Sequence, residues 1–147
     1  MLAADERSFG PSTALLRYGQ GFRSSGVKPA WLRPGRKRDC FNNAATVAHA
    51  RSDVFYTEGY ALEPRLPIPI QHAWLVDASG EVIDPTWENA KDNVYFGIAF
   101  DRDFVVELLK KNEGQAGVLV SMYLLHRHFR DPVAIENAIR GGVVNLP

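Results

Sequence analysis

The hydrophobic pattern in the middle of the chain predicts β-strands. Val54 to Leu62 is rich in β-branched and aromatic residues, which favours a strand, and prolines at 64, 67 and 69 then interrupt regular structure. Asp-Ala-Ser-Gly at 77–80 is typical of a hairpin turn between two short strands. The pattern therefore predicts strands at Val54 to Leu62, Ile70 to Val76, Glu81 to Asp84 and Tyr95 to Phe100.

Helices are predicted on both sides of these strands. Apolar residues at helical spacing after Asp39, an expected N-cap, predict a helix from Cys40 to about Arg51. Asp131-Pro132 and Gly141-Gly142 resemble the start and end of a C-terminal helix. The other predicted helices are a short one near Ser12 to Tyr18, Asp101 to Lys111, and Gly117 to Phe129.

This order of elements predicts an α+β fold in one domain spanning residues 1–147. We expect a loop-rich N-terminal wrap over 1–38, a core over 39–100 and a helical C-terminal part over 101–147. A chain of this length, with 46% hydrophobic residues, is large enough to form one core.

Charge and cysteine content narrow the function classes. Seventeen basic residues balance seventeen acidic ones, which makes nucleic-acid binding an unfavoured interpretation. The single cysteine excludes an internal disulfide and a cysteine-rich metal site, and we expect neither a metal nor a cofactor. The longest apolar stretch is shorter than the roughly 20 residues that cross a bilayer. With an acidic N-terminus unlike a signal peptide, we expect a cytoplasmic protein without a membrane partner.

That single cysteine, Cys40, lies where a nucleophile is favoured. The first turn of a helix has free backbone N–H groups and the positive end of the helix dipole, both of which favour a thiolate. Arg36, Lys37 and Arg38 add positive charge just before it, while Asp39 opposes them unless its carboxylate caps the helix. The alternative is that Cys40 is simply a small buried residue.

The hairpin brings a histidine and an aspartate together if its loop has three residues. With Ala78-Ser79-Gly80 as the loop and Gly80 left-handed, Asp77 pairs with Glu81 and Asp84 lies opposite Trp74. Asp84 is then diagonal to His72 on the same face of the hairpin. A two-residue loop would separate them. The register of the three-residue loop also turns Asp77, the rival orienting group, to the other face of the hairpin.

Cys40 at a helix start, His72-Ala73-Trp74 on a strand and Asp84-Pro85-Thr86 on the next resemble the catalytic core of transglutaminase-like proteins, which share the papain-like fold. The resemblance covers about a third of the chain, Asp39 to Trp87, and extends loosely to Tyr95-Phe96-Gly97. It implies a catalytic helix packed on a small antiparallel sheet, followed by C-terminal helices. It also implies Cys40 as nucleophile, His72 as acid and base, and Asp84 as orienting group.

The resulting function hypothesis is a thiol enzyme that transfers an acyl group from an amide or peptide through a thioester, with hydrolysis as the default outcome. Its expected partner is a protein, a peptide or a small amide. Alternatives are a protein-binding module with an idle triad, transglutaminase-type cross-linking, and a nucleotide-directed thiol enzyme. Candidate oxyanion and substrate-pocket residues are Gln71, Asn43, Trp74, Trp87, Tyr60 and Glu58, although asparagines early in a helix more often face water and tryptophans often belong to the core.

Overall fold

The computed structural model describes residues 11–111, 117–119 and 132–147. In these ranges the chain has an α+β fold with four helices and five strands. The helices are α1 (Pro11–Tyr18), α2 (Cys40–Ala50), α3 (Arg102–Lys111) and α4 (Pro132–Gly142), and the strands are β1 (Gln20–Phe22), β2 (Val54–Leu62), β3 (Ile70–Asp77), β4 (Val82–Ile83) and β5 (Val94–Ala99).

The five strands form one antiparallel sheet in the order β1-β5-β2-β3-β4. The sheet curls until its two edges meet. The contact between the edges is a bridge from Arg23, just beyond β1, to Glu81, just before β4. The Val82 N–H donates to the Arg23 carbonyl at 3.1 Å across this junction. The curl gives the sheet an outer face and an enclosed inner face.

Apolar side chains cover both faces. On the outer face, Ala44 and Ala48 of α2 and Val105 and Leu108 of α3 join a core with the sheet. The inner face holds a second cluster of buried residues, namely Phe22, Ala61, Trp74, Val76, Val82, Tyr95 and Ala99. Of the catalytic candidates, His72 and Asp84 lie on this inner face, where His72 contacts the rings of Trp74 and Tyr95.

Small residues on the central strand make room for the aromatic rings of the inner face. Thr57, Gly59 and Ala61 of β2 lie between β3 and β5 on this face, with Gly59 paired to both His72 and Gly97. A Cβ on Gly97 would lie 2.7 Å from the Trp74 ring, closer than such atoms normally approach. Glycine therefore allows rings from β3 and β5 to meet across β2.

The β3–β4 hairpin has the predicted register. Leu75 pairs with Ile83 and Val76 with Val82, and the Asp77 N–H donates to the Glu81 carbonyl at 3.1 Å. Gly80 has a φ of +84°, in the left-handed region that glycine adopts at little cost. The three-residue loop is confirmed.

Most other element predictions are confirmed to within one or two residues. Strand β1 was not predicted; it lies in the N-terminal segment expected to be loop-rich and pairs with β5. The helix predicted over Gly117 to Phe129 lies mostly outside the described residues, which include only 117–119 of it. Among the helices that are described, none has the length and apolar character to cross a membrane.

Candidate active site

Cys40 is the first residue of α2, as predicted, and is half-buried. Asp39 occupies the N-cap position, but its side chain does not cap the helix. Its carboxylate instead accepts a hydrogen bond from the Asn42 amide at 2.7 Å, so the capping expectation is corrected. The backbone N–H groups in the first turn of α2 therefore receive no hydrogen bond from the Asp39 side chain.

His72 and Asp84 form a buried pair on the inner face. His72 Nε2 lies 2.7 Å from Asp84 Oδ2, and the two residues are 1% and 5% exposed. The confirmed hairpin register accounts for this contact, because it puts both side chains diagonally on one face of β3 and β4. Asp77, the rival orienting group, instead accepts hydrogen bonds from Ser79 and the Glu81 N–H within its own turn.

Asp84 is held by four hydrogen bonds. Oδ1 accepts from the backbone N–H groups of Thr86 and Trp87 at 2.9 and 3.0 Å. Oδ2 accepts from His72 and, at 2.9 Å, from the Tyr95 hydroxyl. Each oxygen therefore has two donors, which fixes the carboxylate plane and directs one lone pair at the imidazole.

Aromatic rings hold His72 in the same orientation. Trp87 stacks on the imidazole with ring centres 4.0 Å apart, and Trp74 lies nearly parallel at 6.1 Å. With Nε2 bonded to Asp84, Nδ1 is the ring nitrogen left for the thiol. The imidazole is thus held in one orientation, with Nδ1 available to the Cys40 thiol.

The surroundings of His72 favour its protonated form. Burial, the largest influence, lowers its pKa, but the hydrogen bonds and charges of Asp84 and Cys40 outweigh burial and raise the pKa of His72 to about 9. Burial and the negative charge of Asp84 also raise the pKa of Tyr95, so its hydroxyl stays a hydrogen-bond donor. His72 is therefore protonated at neutral pH.

Cys40 and His72 open onto one cleft of about 640 Å³. The cleft runs between the start of α2, the start of β3 and the loop after Asp84. Gln71 and Trp87 line it as expected, and Thr86 and Asn93 line it as well. A substrate in this cleft has access to both the thiol and the imidazole.

Asn43 does not line the cleft, which corrects its candidate role as an oxyanion donor. Its Oδ1 accepts from the Arg36 N–H at 3.1 Å, and its Nδ2 donates to the Arg36 carbonyl and to Thr86 Oγ1. The amide is occupied in joining the loop before Cys40 to the loop after Asp84.

Three further pocket candidates lie elsewhere, and these expectations are corrected too. Trp74 is fully buried in the inner core, because Gly97, which has no Cβ, admits its ring. Glu58 is 3% exposed and faces the helices, where it accepts hydrogen bonds from the Tyr56 hydroxyl and the Val118 and Leu119 N–H groups. Tyr60 is 39% exposed but pairs with Gln71 and lies outside the cleft.

Sequence reasoning missed Tyr95 and Asn93. Asn93 Nδ2 donates to the Tyr95 hydroxyl at 3.2 Å, and this hydroxyl donates to Asp84, so the two residues extend the hydrogen-bonded series away from His72. The available signal was the alternation in β5, which turns Tyr95 inward between exposed Val94 and Phe96. Alternation does not give the order of the strands in the sheet, so it could not identify Asp84 as the partner of Tyr95.

Among the described residues, no three His, Cys, Asp or Glu side chains are arranged to hold a metal ion. The chemistry available to the site is that of a thiol, an imidazole and a carboxylate in series. No family model matches the chain, nor does any curated protein or solved structure, so this chemistry is inferred from the geometry of the site itself.

Proposed function

We propose that this protein is a cysteine enzyme that transfers an acyl group from an amide or peptide bond through a Cys40 thioester, with water as the default acceptor. The observation that carries the proposal is the buried His72–Asp84 pair at 2.7 Å, whose histidine lines the same cleft as Cys40 at the start of α2. The imidazole is hydrogen-bonded to both Asp84 and Cys40, which is the series that nucleophilic catalysis by sulfur requires.

The proposed reaction begins with attack of the Cys40 thiolate on the substrate carbonyl carbon. The uncapped N–H groups at the start of α2 and the Gln71 side chain are the proposed donors to the developing oxyanion. His72 then gives its proton to the leaving amine as the carbon–nitrogen bond breaks, which leaves a thioester.

Deacylation runs the same proton path in reverse. Neutral His72 takes a proton from water, the hydroxide attacks the thioester, and the Cys40 thiolate leaves as the acid is released. Asp84 stabilises the imidazolium in both halves and keeps its ring in place. An amine entering instead of water would give cross-linking by the same steps.

The order of the elements supports a papain-like, transglutaminase-like core as part of this proposal. The thiol begins the helix that packs on the sheet, the histidine lies on β3, and the carboxylate directly follows β4. Thr86 and Trp87 in the loop after Asp84 form a wall of the cleft, and Trp87 covers the imidazole.

The first test is the pH dependence of Cys40 alkylation by iodoacetamide, which reads one site because the chain has one cysteine. In the wild type we expect rapid reaction at pH 6, well below the free thiol pKa of about 8.5. In His72→Ala we expect the rate at pH 6 to fall about a hundredfold, because the imidazolium that stabilises the thiolate is gone. His49→Ala, which removes an exposed histidine from α2, is the matched control.

Slow alkylation at pH 6 in both wild type and His72→Ala would contradict the proposal and favour a binding module with an idle triad. His72→Gln, checked by circular dichroism, serves as a second variant if the alanine variant does not fold. With a reactive thiol established, a peptide and amide mixture screened by mass spectrometry should yield an acyl adduct on Cys40 that hydroxylamine releases.

A further inference from the structure

The loop just before Cys40 carries two cations to the mouth of the cleft. Lys37 and Arg38 both line the cleft and are exposed. Arg38 has a φ of +60°, a left-handed conformation that costs a non-glycine residue about 1 kcal/mol or more. The backbone is therefore held in an unfavourable conformation one residue from the N-cap of the nucleophile's helix.

Neighbouring contacts hold this loop in place. The Asn43 amide bonds both the N–H and the carbonyl of Arg36, and the Gly35 N–H donates to the Pro85 carbonyl at 2.7 Å. The loop is thus attached to α2 on one side and to the segment after Asp84 on the other. Lys37 and Arg38 follow directly from these attachments, so their positions relative to the thiol are restricted.

The fixed charges that line the cleft are three cations, Lys37, Arg38 and Arg65, and two carboxylates, Glu63 and Glu88. Arg65 forms an ion pair with Glu63, so these two largely neutralise each other. Among the described residues neither Lys37 nor Arg38 has an ion-pair partner. The remaining lining carboxylate is Glu88, while Asp39 lies beside the cleft with its carboxylate bonded to Asn42.

The positive end of α2 adds to Lys37 and Arg38 on this side of the cleft, whereas the charge of protonated His72 is offset by the Asp84 carboxylate 2.7 Å away. The part of the cleft next to the start of α2 therefore carries two cations that have no ion-pair partner among the described residues, and field lines concentrate in a concave site. A neutral amide substrate would gain little from such a field, whereas an anionic one would be attracted and oriented by it.

We propose that the cleft binds substrates with an anionic group, a carboxylate or a phosphate, near the amide that Cys40 attacks, and that Lys37 and Arg38 hold this group. This inference specifies the substrate class of the proposed function and depends on Cys40 being the nucleophile. Lysine and arginine side chains bind carboxylate and phosphate groups alike, through charge-assisted hydrogen bonds.

Methanethiosulfonate reagents of different charge test the field without a known substrate. In low salt, and with each rate divided by that of the same reagent with free cysteine, we expect the anionic sulfonatoethyl reagent to modify Cys40 about tenfold faster than the cationic trimethylammonioethyl reagent. In Lys37→Gln/Arg38→Gln this ratio should fall at least threefold. It should also fall in the wild type as salt approaches 0.5 M, because the ions screen the cations.

Lys28→Gln/Arg33→Gln is the matched control, since it removes two exposed cations of the preceding loop that do not line this cleft. Its reagent ratio should equal that of the wild type. Equal rates for the two reagents after division by their rates with free cysteine, or equal ratios in both double variants, would overturn the inference. Rapid iodoacetamide reaction at pH 6 in the same samples would leave the proposed function standing, which separates the two failures.

Protection of Cys40 identifies the anion. Acetyl-glutamyl-glutamine amide, the neutral acetyl-glutaminyl-glutamine amide and inorganic phosphate are each added during iodoacetamide treatment. Slowing by the glutamyl peptide alone indicates a carboxylate group, and slowing by phosphate alone indicates a phosphate group. Either effect should disappear in Lys37→Gln/Arg38→Gln, and slowing by the neutral peptide to the same extent as the glutamyl peptide would contradict an anion-selective cleft.

Discussion

At the scale of single residues, Asp84 determines how the site works. Its Oδ1 accepts hydrogen bonds from two backbone N–H groups, and these bonds shape the loop that holds Trp87. Its Oδ2 accepts hydrogen bonds from His72 and Tyr95. One carboxylate thus builds the wall over the imidazole and stabilises the charge on the imidazole. These two effects can be separated by changing its charge and keeping its shape.

Asp84→Asn should therefore slow Cys40 alkylation more than it weakens the fold. Charge-assisted hydrogen bonds contribute roughly 1.5–3 kcal/mol, so we expect the iodoacetamide rate at pH 7 to fall about 10- to 100-fold. Oδ1 of asparagine can still accept from Thr86 and Trp87, so a folded protein is expected. The rate is measured with iodoacetamide and the fold by urea unfolding.

Asp77→Asn is the control for this variant. Asp77 lies on the same hairpin and accepts its hydrogen bonds through one oxygen, Oδ1, which asparagine keeps. Its alkylation rate should match that of the wild type. An Asp84→Asn rate equal to the Asp77→Asn rate would mean that the carboxylate charge does not support the thiol.

At this scale the sequence predicted which residues meet but not how all of their polar atoms are satisfied. The contact of His72 with Asp84 followed from one glycine and one loop length. The hydrogen bonds of Asn43 did not, because its partners Arg36 and Thr86 are seven and 43 residues away. Local patterns carry no information on such long-range partners.

At the scale of elements, the site depends on how α2 is joined to the loop after Asp84. Asn43 in the first turns of α2 bonds Arg36 on one side and Thr86 on the other. The helix that carries the thiol and the loop that carries the carboxylate are thereby fixed relative to each other.

Asn43→Ala should loosen this junction. Loss of its three hydrogen bonds, one of them partly buried, is expected to lower the free energy of unfolding by about 2 kcal/mol and to slow Cys40 alkylation severalfold. Asn42→Ala, which removes only an exposed contact with Asp39, should change either quantity little. Urea unfolding and alkylation at pH 7 measure both, and equal effects of the two variants would contradict this role for Asn43.

At the scale of the whole molecule, the curl of the sheet was beyond sequence reasoning. Tyr95 lies on β5, two strands from His72, yet its hydroxyl reaches Asp84 beyond β4. This is possible because β2 carries small residues, Thr57, Gly59 and Ala61, on the part of the inner face between His72 and Tyr95, and because the sheet edges meet at Arg23 and Glu81. Alternation predicted which residues face inward, whereas strand order and curvature depend on tertiary pairing.

The assembled site should also affect the stability of the molecule as pH changes. The pKa of His72 is raised from 6.5 to about 9 by folding, mainly because Asp84 and Cys40 outweigh the effect of burial. A raised pKa means that the folded state binds the proton more tightly than the unfolded state. The stabilisation is therefore complete below about pH 6.5 and is lost as pH rises through about 9.

This shift corresponds to about 3 kcal/mol of unfolding free energy, because each pKa unit is worth about 1.4 kcal/mol. Urea unfolding of Cys40→Ser and of Cys40→Ser/His72→Gln at pH 6, 7, 8 and 9.5 measures the part of this shift that Asp84 causes, because without the thiol no proton lost by Cys40 offsets the proton gained by His72. We expect the stability difference between the two variants to shrink by up to about 3 kcal/mol across this range, since glutamine does not titrate. Curves that stay parallel from pH 6 to 9.5 would mean that Asp84 gives His72 no extra proton affinity on folding, and the proton that the proposed reaction gives to the leaving amine would then lack this support.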